Sequence, residues 1–292
     1  MKKGRDIAIV GGSSAIARLL VQKHFPEATL FVRKSSGNNE RIVARYQQVS
    51  AQDLEGFAVV INCAGAVDAP EDDLNDANVE LPRRLSLACG KAGVDRLVHI
   101  SSFSVYGFQK RIGAATAPQP RSAYGLSKLR GDEAMLEAAA GGLKCVSLRL
   151  PAILDPLKGG RKVEKLLNTW RRLGWWPVPM DDISRSMIST ELAADAIALL
   201  AANDDGGIRF AADPQPFTYA LAARAIEEGS GKPVRSLAVP KWASACIGKV
   251  SPGAYANLFE DSLLDPEDNL LRQHHSDLFS TLGAIVRSGK PQ

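Results

Sequence analysis

The sequence is poor in the residues that bind metals. It has four cysteines and four histidines in 292 residues, and no two of the cysteines are close. Cys63, Cys89, Cys145 and Cys246 form no Cys-x-x-Cys pair and no Cys/His cluster, so no metal site is expected. Reduced, buried thiols in a cytosolic protein fit this usage, and a cytoplasmic location is the expectation. The doublet His274-His275 reads as surface, because adjacent side chains point apart on a helix or strand. No uncharged run approaches the roughly 20 apolar residues that span a bilayer, so no membrane span is expected. The N-terminal stretch "MKKGRDIAIVGGSSAIARLLV" is bracketed by Asp6 and Arg18 and cut by glycines and serines. It reads as mature structure rather than as a signal peptide. Blocks of like charge are also missing. The 36 Lys and Arg are scattered among 32 Asp and Glu, for a net charge of +4, which argues against a nucleic-acid footprint. A mild basic bias suits an anionic small molecule. We find no repeat and no low-complexity tract.

The first half of the chain alternates two patterns. Short apolar runs occur at 6–10, 28–33, 41–46, 58–65, 96–102 and 144–150. Between them, helical periodicity covers 15–25, 76–93 and 123–140. Strand and helix alternating at this spacing predict an α/β fold, a doubly wound Rossmann-type parallel sheet with helices on both faces. Ligands of such sheets bind beyond the carboxyl ends of the strands. After Pro151 the pattern loosens. A loop is predicted over 155–162, a helix over 163–174, a proline-broken "WWPVP", and a helix over 189–202 started by Ser189 or Thr190. The predicted division is a dinucleotide-binding domain at 1–154 and a smaller C-terminal α/β substrate lobe at 155–292. Some segments of the lobe are expected to return to the first domain.

Chemistry enters at "SAYGLSK", where Tyr124 stands four residues before Lys128. On a helix these two share a face. An ammonium beside a phenol favours the phenolate and lowers its pKa from the usual value of about 10. Such a tyrosine can pass a proton to or from an alcohol or ketone oxygen. The spacing also arises by chance on an exposed helix, so the rest of the sequence decides. "VGGSSAIA" joins the first predicted strand to the first helix, and a helix N-terminus there offers free N–H groups to a phosphate. Gly11 permits the tight turn. The second strand ends in Arg33-Lys34, where folds that bind NAD usually carry an acid. Two cations there suit the extra 2′-phosphate of NADP, although a solvated basic turn reads the same way.

Three further segments stand in order: "INCAG", "HISSFSVYG" and "YGLSK". Together with "LRLPAIL" and "RSMISTELAADAI" they resemble the extended branch of the short-chain dehydrogenase/reductases, from about Asp6 to Val239. That branch is the NAD-dependent epimerase/dehydratase family of nucleotide-sugar epimerases, dehydratases and keto-reductases. The glycine turn departs from the family's Gly-x-x-Gly-x-x-Gly, with Ser14 and Ala17 at the second and third glycines. The resemblance implies that Tyr124 is the general acid/base and that Lys128 supports it and holds the nicotinamide ribose. Ser102 would bond the reacting oxygen, and Ser101 would be a structural or cofactor-side serine. Gly11, Ser13, Ser14, Ala15 and Ile16 would line the phosphates, and Cys63, Ala64 and Gly65 the cofactor. Asn78 would support the site beside the cofactor, and Pro151 and Ile153 would flank the nicotinamide. Arg185 matches an arginine that holds the nucleotide phosphates in sugar-nucleotide members.

The family's 4,6-dehydratases carry an Asp-Glu pair after the catalytic hydroxyl residue. Phe103 and Ser104 stand there, which cannot eliminate water. With dehydration set aside, Arg33 tips the expectation to a reductase of a 4-keto sugar nucleotide, with NADP as the preferred cofactor. A 4-epimerase that retains NAD, a reductase of another ketone and a silent NADP-binding sensor remain alternatives. The C-terminal lobe resembles members from bacterial surface-polysaccharide synthesis, and a homodimer is the expectation from the superfamily. Arg171 and Arg172 are weaker phosphate candidates. Trp170, Trp175 and Trp176 read as core of the lobe rather than as stacking platforms. The last forty residues match no family segment.

Overall fold

A computed structural model of the chain describes residues 6–35, 37–156, 167, 170, 174–180, 183–240, 249 and 260–288. In it the run Ile-Ala-Ile-Val is buried residue by residue and forms β1 (Ile7–Val10). The same holds for β4 (Val59–Asn62). Strands buried on both faces are the mark of a covered parallel sheet. β2 (Thr29–Val32), β3 (Glu40–Ile42), β5 (Arg96–Ser102), β7 (Lys144–Leu150) and β12 (Gly207–Phe210) complete it. The order is β12-β7-β5-β4-β1-β2-β3, and every pairing is parallel. Sequence order runs outward in both directions from β1 and β4, so the topological switch lies between these two strands. The doubly wound Rossmann-type sheet expected from the alternation is the fold observed.

The chain divides into two compact units. The first holds 1–107, 117–150 and 193–211, and the second holds 108–116, 151–192 and 212–292. In the first unit, α1 (Ala15–Lys23) starts where Ser14 Oγ accepts from Ala17 N–H and stops short of Pro26. α2 (Ala51–Leu54) opens with a reciprocal Ser50–Asp53 capping box. α5 (Ala123–Glu137) is capped by Ser122, whose Oγ accepts from Gly125 N–H at 3.0 Å. One core cluster packs β1, β2 and β4 against the helices through Val10, Phe31, Val60, Leu81, Leu85, Leu97 and Met135. Each fully buried Leu or Phe contributes roughly 2 kcal/mol through area removed from water.

The helix expected over 76–93 starts earlier and is not regular. It comprises α3 (Glu71–Asn75), a π-helical turn at Asp76–Glu80, and α4 (Leu81–Ala92), which ends at Gly93 in the left-handed conformation. The cause lies in Pro82, which has no N–H to donate to the carbonyl four residues back, that of Asn78. A Cβ added at Gly131 of α5 would collide with that same carbonyl. The bulge thus lets two helices approach at backbone distance. The strand expected over 41–46 is shorter, because Tyr46–Gln48 turns into a 3-10 helix.

In the second unit, β8 (Ala152–Leu154) pairs in parallel with β11 (Met187–Ser189). The proline-containing "WWPVP" is a strand, β9 (Trp175–Pro179), paired with β14 (Arg235–Val239). A two-stranded ribbon leaves half of each strand's N–H groups without a ladder partner, which is where proline is tolerated. β6 (Arg111–Ile112) pairs with β15 (Leu263–Leu264), and β10 (Ser184–Arg185) with β13 (Phe217–Thr218). α6 (Thr190–Ala202), which belongs to the first unit from Ala193 on, is started by Ser189, whose Oγ accepts from Leu192 N–H at 3.0 Å. α7 (Tyr219–Ser230) and α8 (Leu278–Ser288) pack with Trp176, Met187 and Phe217 in a second core. Trp176 is fully buried and Trp170 packs against this core, as read from the sequence. The C-terminal segment has a structural task here, since Asn269 bonds both the N–H and the C=O of Ala212. His274 and His275 are exposed. Most of the predicted 155–162 loop and 163–174 helix, with Arg171 and Arg172, lies outside the described residues. Among the described residues, no helix is long and apolar enough to cross a membrane, and no His, Cys, Asp or Glu cluster fits a metal ion.

Candidate active site

The switch between β1 and β4 is closed tightly. Gly11 has φ +84°, and a Cβ there would stand 2.6 Å from Ala64 N. A Cβ at Gly12 would stand 2.7 Å from Leu30 Cβ. Both N–H groups bond to Phe31 O. Only glycine fits this turn. It delivers the chain to the N-terminus of α1, where Ser13 and Ala15 are exposed, Ser14 is half-buried and Ile16 is buried. The first N–H groups of a helix have no partner within it and carry the positive end of its dipole. At the end of β4, Asn62 Oδ1 accepts from Ala64 N–H at 3.1 Å. Burial pushes the Cys63 thiol up to about 12, so it stays neutral. Gly65 leaves room, since a Cβ there would meet Asn78 Oδ1 at 3.1 Å and Lys128 Nζ at 4.0 Å. A backbone turn without side chains at the switch point, faced by a helix N-terminus, fits a dinucleotide pyrophosphate.

Ser102 ends β5 and caps the 3-10 turn Phe103–Tyr106, accepting from Ser104 N–H at 3.1 Å. A cluster of Phe103, Tyr106 and Phe210, with centroids 6.2–6.4 Å apart, supports that turn. Opposite it begins α5, and Gly125 makes the approach possible, because a Cβ there would collide with Ser104 O. The Tyr124 hydroxyl is thereby set against the Ser102 hydroxyl. Lys128 follows one turn later and is buried. Its Nζ donates to Ile100 O at 2.6 Å and lies 3.2 Å from His99 Nε2.

The expected lowering of the Tyr124 pKa is not what these surroundings produce. Burial raises it, the Ser102 hydroxyl pulls it back, and the carboxylates of Asp132 and Asp68 raise it further. The reason is geometric. The Lys128 Nζ lies against a carbonyl and an imidazole of β5, and burial lowers its own pKa to about 8. Asp68 holds its acid from a left-handed backbone conformation (φ +52°).

Below these residues lies a buried polar layer. Asn78 Oδ1 accepts from Ala66 N–H, and its Nδ2 donates to Ala66 O and Ser127 Oγ, so the amide ties the loop after β4 to α5. Ser101 Oγ donates to Asp132 Oδ2. Ser147 Oγ and Arg149 Nε also donate to Asp132, and Arg149 Nη1 donates to Tyr106 Oη at 2.6 Å. His99 and Asp132 were not singled out from the sequence. The signal was present: each is a polar residue on the apolar side of its element, in "LVHIS" and "KLRGDEAM".

Arg33 and Lys34 are exposed, and the Arg33 guanidinium stands 5.7 Å over the Tyr46 ring. Pro151, Ile153 and Arg185 belong to the second unit. Pro151 is buried and Ile153 half-buried on β8. Arg185 Nη1 donates to Glu260 O at 2.6 Å, with Asp261 and Tyr219 nearby.

The model of the NAD dependent epimerase/dehydratase family matches residues 8–173. The chain belongs to that family. It is thereby one of the extended short-chain dehydrogenase/reductases, a group of enzymes that use a nicotinamide cofactor. No curated protein sequence matches it. Solved structures resemble it along nearly their whole length. The Bordetella bronchiseptica enzyme WbmH in complex with NAD+ is 15% identical over 98% of each chain, with a TM-score of 0.74. A UDP-N-acetylglucosamine 4-epimerase from Methanobrevibacter ruminantium M1, in complex with UDP-N-acetylmuramic acid, is 18% identical over 98% of each chain, TM-score 0.76. The dTDP-4-dehydrorhamnose reductase from Bacillus anthracis str. Ames, in complex with NADP, is 18% identical, covers 98% of this chain and 100% of its own, and has a TM-score of 0.71. At these identities the likeness is one of fold.

Proposed function

We propose that the protein is an NADP-dependent reductase of a 4-keto nucleotide sugar. The observation that carries the reading is the placement of the Tyr124 hydroxyl against the Ser102 hydroxyl, set by the close approach of Gly125 to Ser104, with Lys128 one turn below. A bound nicotinamide supplies or accepts the hydride. The chain supplies the proton. Tyr124 Oη gives it to the substrate oxygen as that oxygen gains charge, and Ser102 Oγ donates to the same oxygen and holds it in place. A tyrosine whose pKa is raised is a proton donor in its resting state, which suits the reductive direction. Lys128 holds the ribose and limits the charge left on Tyr124.

The Gly11–Ile16 turn is the proposed phosphate cradle, with Cys63, Ala64 and Gly65 along the cofactor. Asn78 and Ser101 act through Ser127 and Asp132 rather than by touch. Arg33, steadied on the Tyr46 face, and Lys34 would take the 2′-phosphate. Pro151 and Ile153 are proposed at the nicotinamide and Arg185 at the nucleotide phosphates, the second unit being the substrate lobe. A cytoplasmic homodimer serving surface-polysaccharide synthesis completes the reading.

The test is NADPH oxidation with a panel of dTDP- and UDP-4-keto sugars. Tyr124→Phe should lower kcat at least about 100-fold with the cofactor still bound. Full turnover in that variant sinks the role of Tyr124. A second reading, 4-epimerase with retained NAD, is favoured by the 4-epimerase among the similar folds. It predicts interconversion of UDP-sugars without net NADPH consumption.

A further inference from the structure

His99 is fully buried on β5, between Asn62 of β4 and Lys128 of α5. Its two ring nitrogens face different partners, and the protein decides which one carries the proton. Asn62 Oδ1 accepts from Ala64 N–H, so the other arm of the amide is its NH₂. That Nδ2 lies 3.0 Å from His99 Nδ1 and donates to it. Nδ1 is then an acceptor, and the single proton of the neutral ring sits on Nε2. Nε2 lies 3.2 Å from Lys128 Nζ. An N–H pointing at an ammonium is repulsive, whereas an N–H pointing at the lone pair of an amine is a hydrogen bond.

We infer that His99 is a positioning residue that donates Nε2–H to Lys128 Nζ and thereby stabilises the neutral amine of Lys128. The inference rests on Tyr124 and Lys128 being the proton-handling pair. Its consequence is that Lys128 changes charge in a range an enzyme meets, and the support it gives a Tyr124 phenolate changes with it. The surroundings agree. Burial brings Lys128 down to about 8 and keeps His99 neutral, well below its usual value. Among the described residues, few other groups face Lys128. Asp132, on its own helix, favours the ammonium, but that carboxylate is shared among Ser101, Ser147 and Arg149. Tyr124 stands one turn before it, Gly65 presents no side chain, and Asn78 is an uncharged amide. From β5 itself, Ile100 O accepts from Nζ in either charge state.

The experiment reads Lys128 directly. Full-length protein carrying lysine labelled with carbon-13 at Cε is titrated by NMR, with the Lys128 signal assigned by its loss in Lys128→Met. His99→Leu removes the donor. Asn62→Asp accepts from Nδ1–H instead, which moves the imidazole proton off Nε2 and turns that nitrogen into an acceptor for the ammonium. Both variants should raise the Lys128 midpoint by about one pH unit, a tenfold change in the amine-to-ammonium ratio. A midpoint that is unchanged or lower in His99→Leu overturns the inference. If His99→Leu does not fold, an unchanged or lower midpoint in Asn62→Asp does so. No substrate enters this titration, so its failure leaves the reductase reading standing. Full turnover in Tyr124→Phe would conversely sink the pair's role without moving the Lys128 midpoint.

Discussion

Arg149 Nε donates to Asp132 Oδ2 at 3.0 Å with both side chains almost fully buried, directly beneath the serine pair that ends β5. Removing one member leaves the other charged and unpaired. Such a loss costs about 3–5 kcal/mol, whereas replacing both by apolar residues of similar size is close to neutral. Asp132→Leu and Arg149→Met should each lower the melting temperature by about 6–20 °C, taking roughly 2–4 °C per kcal/mol. The double variant should lose less than the sum. Additive losses would show that the two do not act as a pair.

Gly125 is a placement residue. A methyl group there meets the carbonyl of Ser104, on the turn that Ser102 caps. Gly125→Ala should push the start of α5 away from Ser102. A displacement near 1 Å costs about 100-fold in rate. Circular dichroism should show the fold intact while kcat falls. Unchanged kcat would mean that the helix start yields without moving Tyr124.

Arg33→Asp should reverse the cofactor preference. A charge-assisted hydrogen bond to phosphate contributes about 1.5–3 kcal/mol, so the ratio of NADP to NAD efficiency should fall about 10- to 100-fold. An unchanged ratio would remove Arg33 from the cofactor site.

The second unit carries a carboxylate under strain. Burial, Asp213 and Glu191 push Asp277 up to about 6, against the pull of the Ser189 hydroxyl. Its pKa is therefore higher folded than unfolded. Between about pH 4 and 6 the folded chain holds a proton that the unfolded chain has lost, so stability falls as pH rises through that window. Asp277→Asn should raise the melting temperature at pH 8, and the difference should close below pH 4. A constant difference across pH would assign the effect to packing instead.

The strands were legible because parallel strands covered on both faces are short, continuous apolar runs: β5 and β7 coincide with their expected bounds. The order of "INCAG", "HISS" and "YGLSK" pointed to the strand and helix ends that the fold brings together at Ser102 and Tyr124. Three features were not legible. The π-helical turn at Asp76–Glu80 depends on Pro82 meeting Gly131 across 49 positions, which no local pattern encodes. The direction of the Lys128 side chain depends on Ile100 O and His99, a tertiary neighbourhood. Helical spacing alone aimed it at Tyr124. The strand at Trp175–Pro179 was masked by two prolines that a two-stranded ribbon tolerates.

The most direct measurement is calorimetric titration of the purified chain with NADPH and with NADH, after mass spectrometry for a copurifying nucleotide. The account predicts a protein that purifies empty and binds NADPH at least about tenfold more tightly than NADH. Copurifying NAD that resists removal would contradict it and make the 4-epimerase the leading reading.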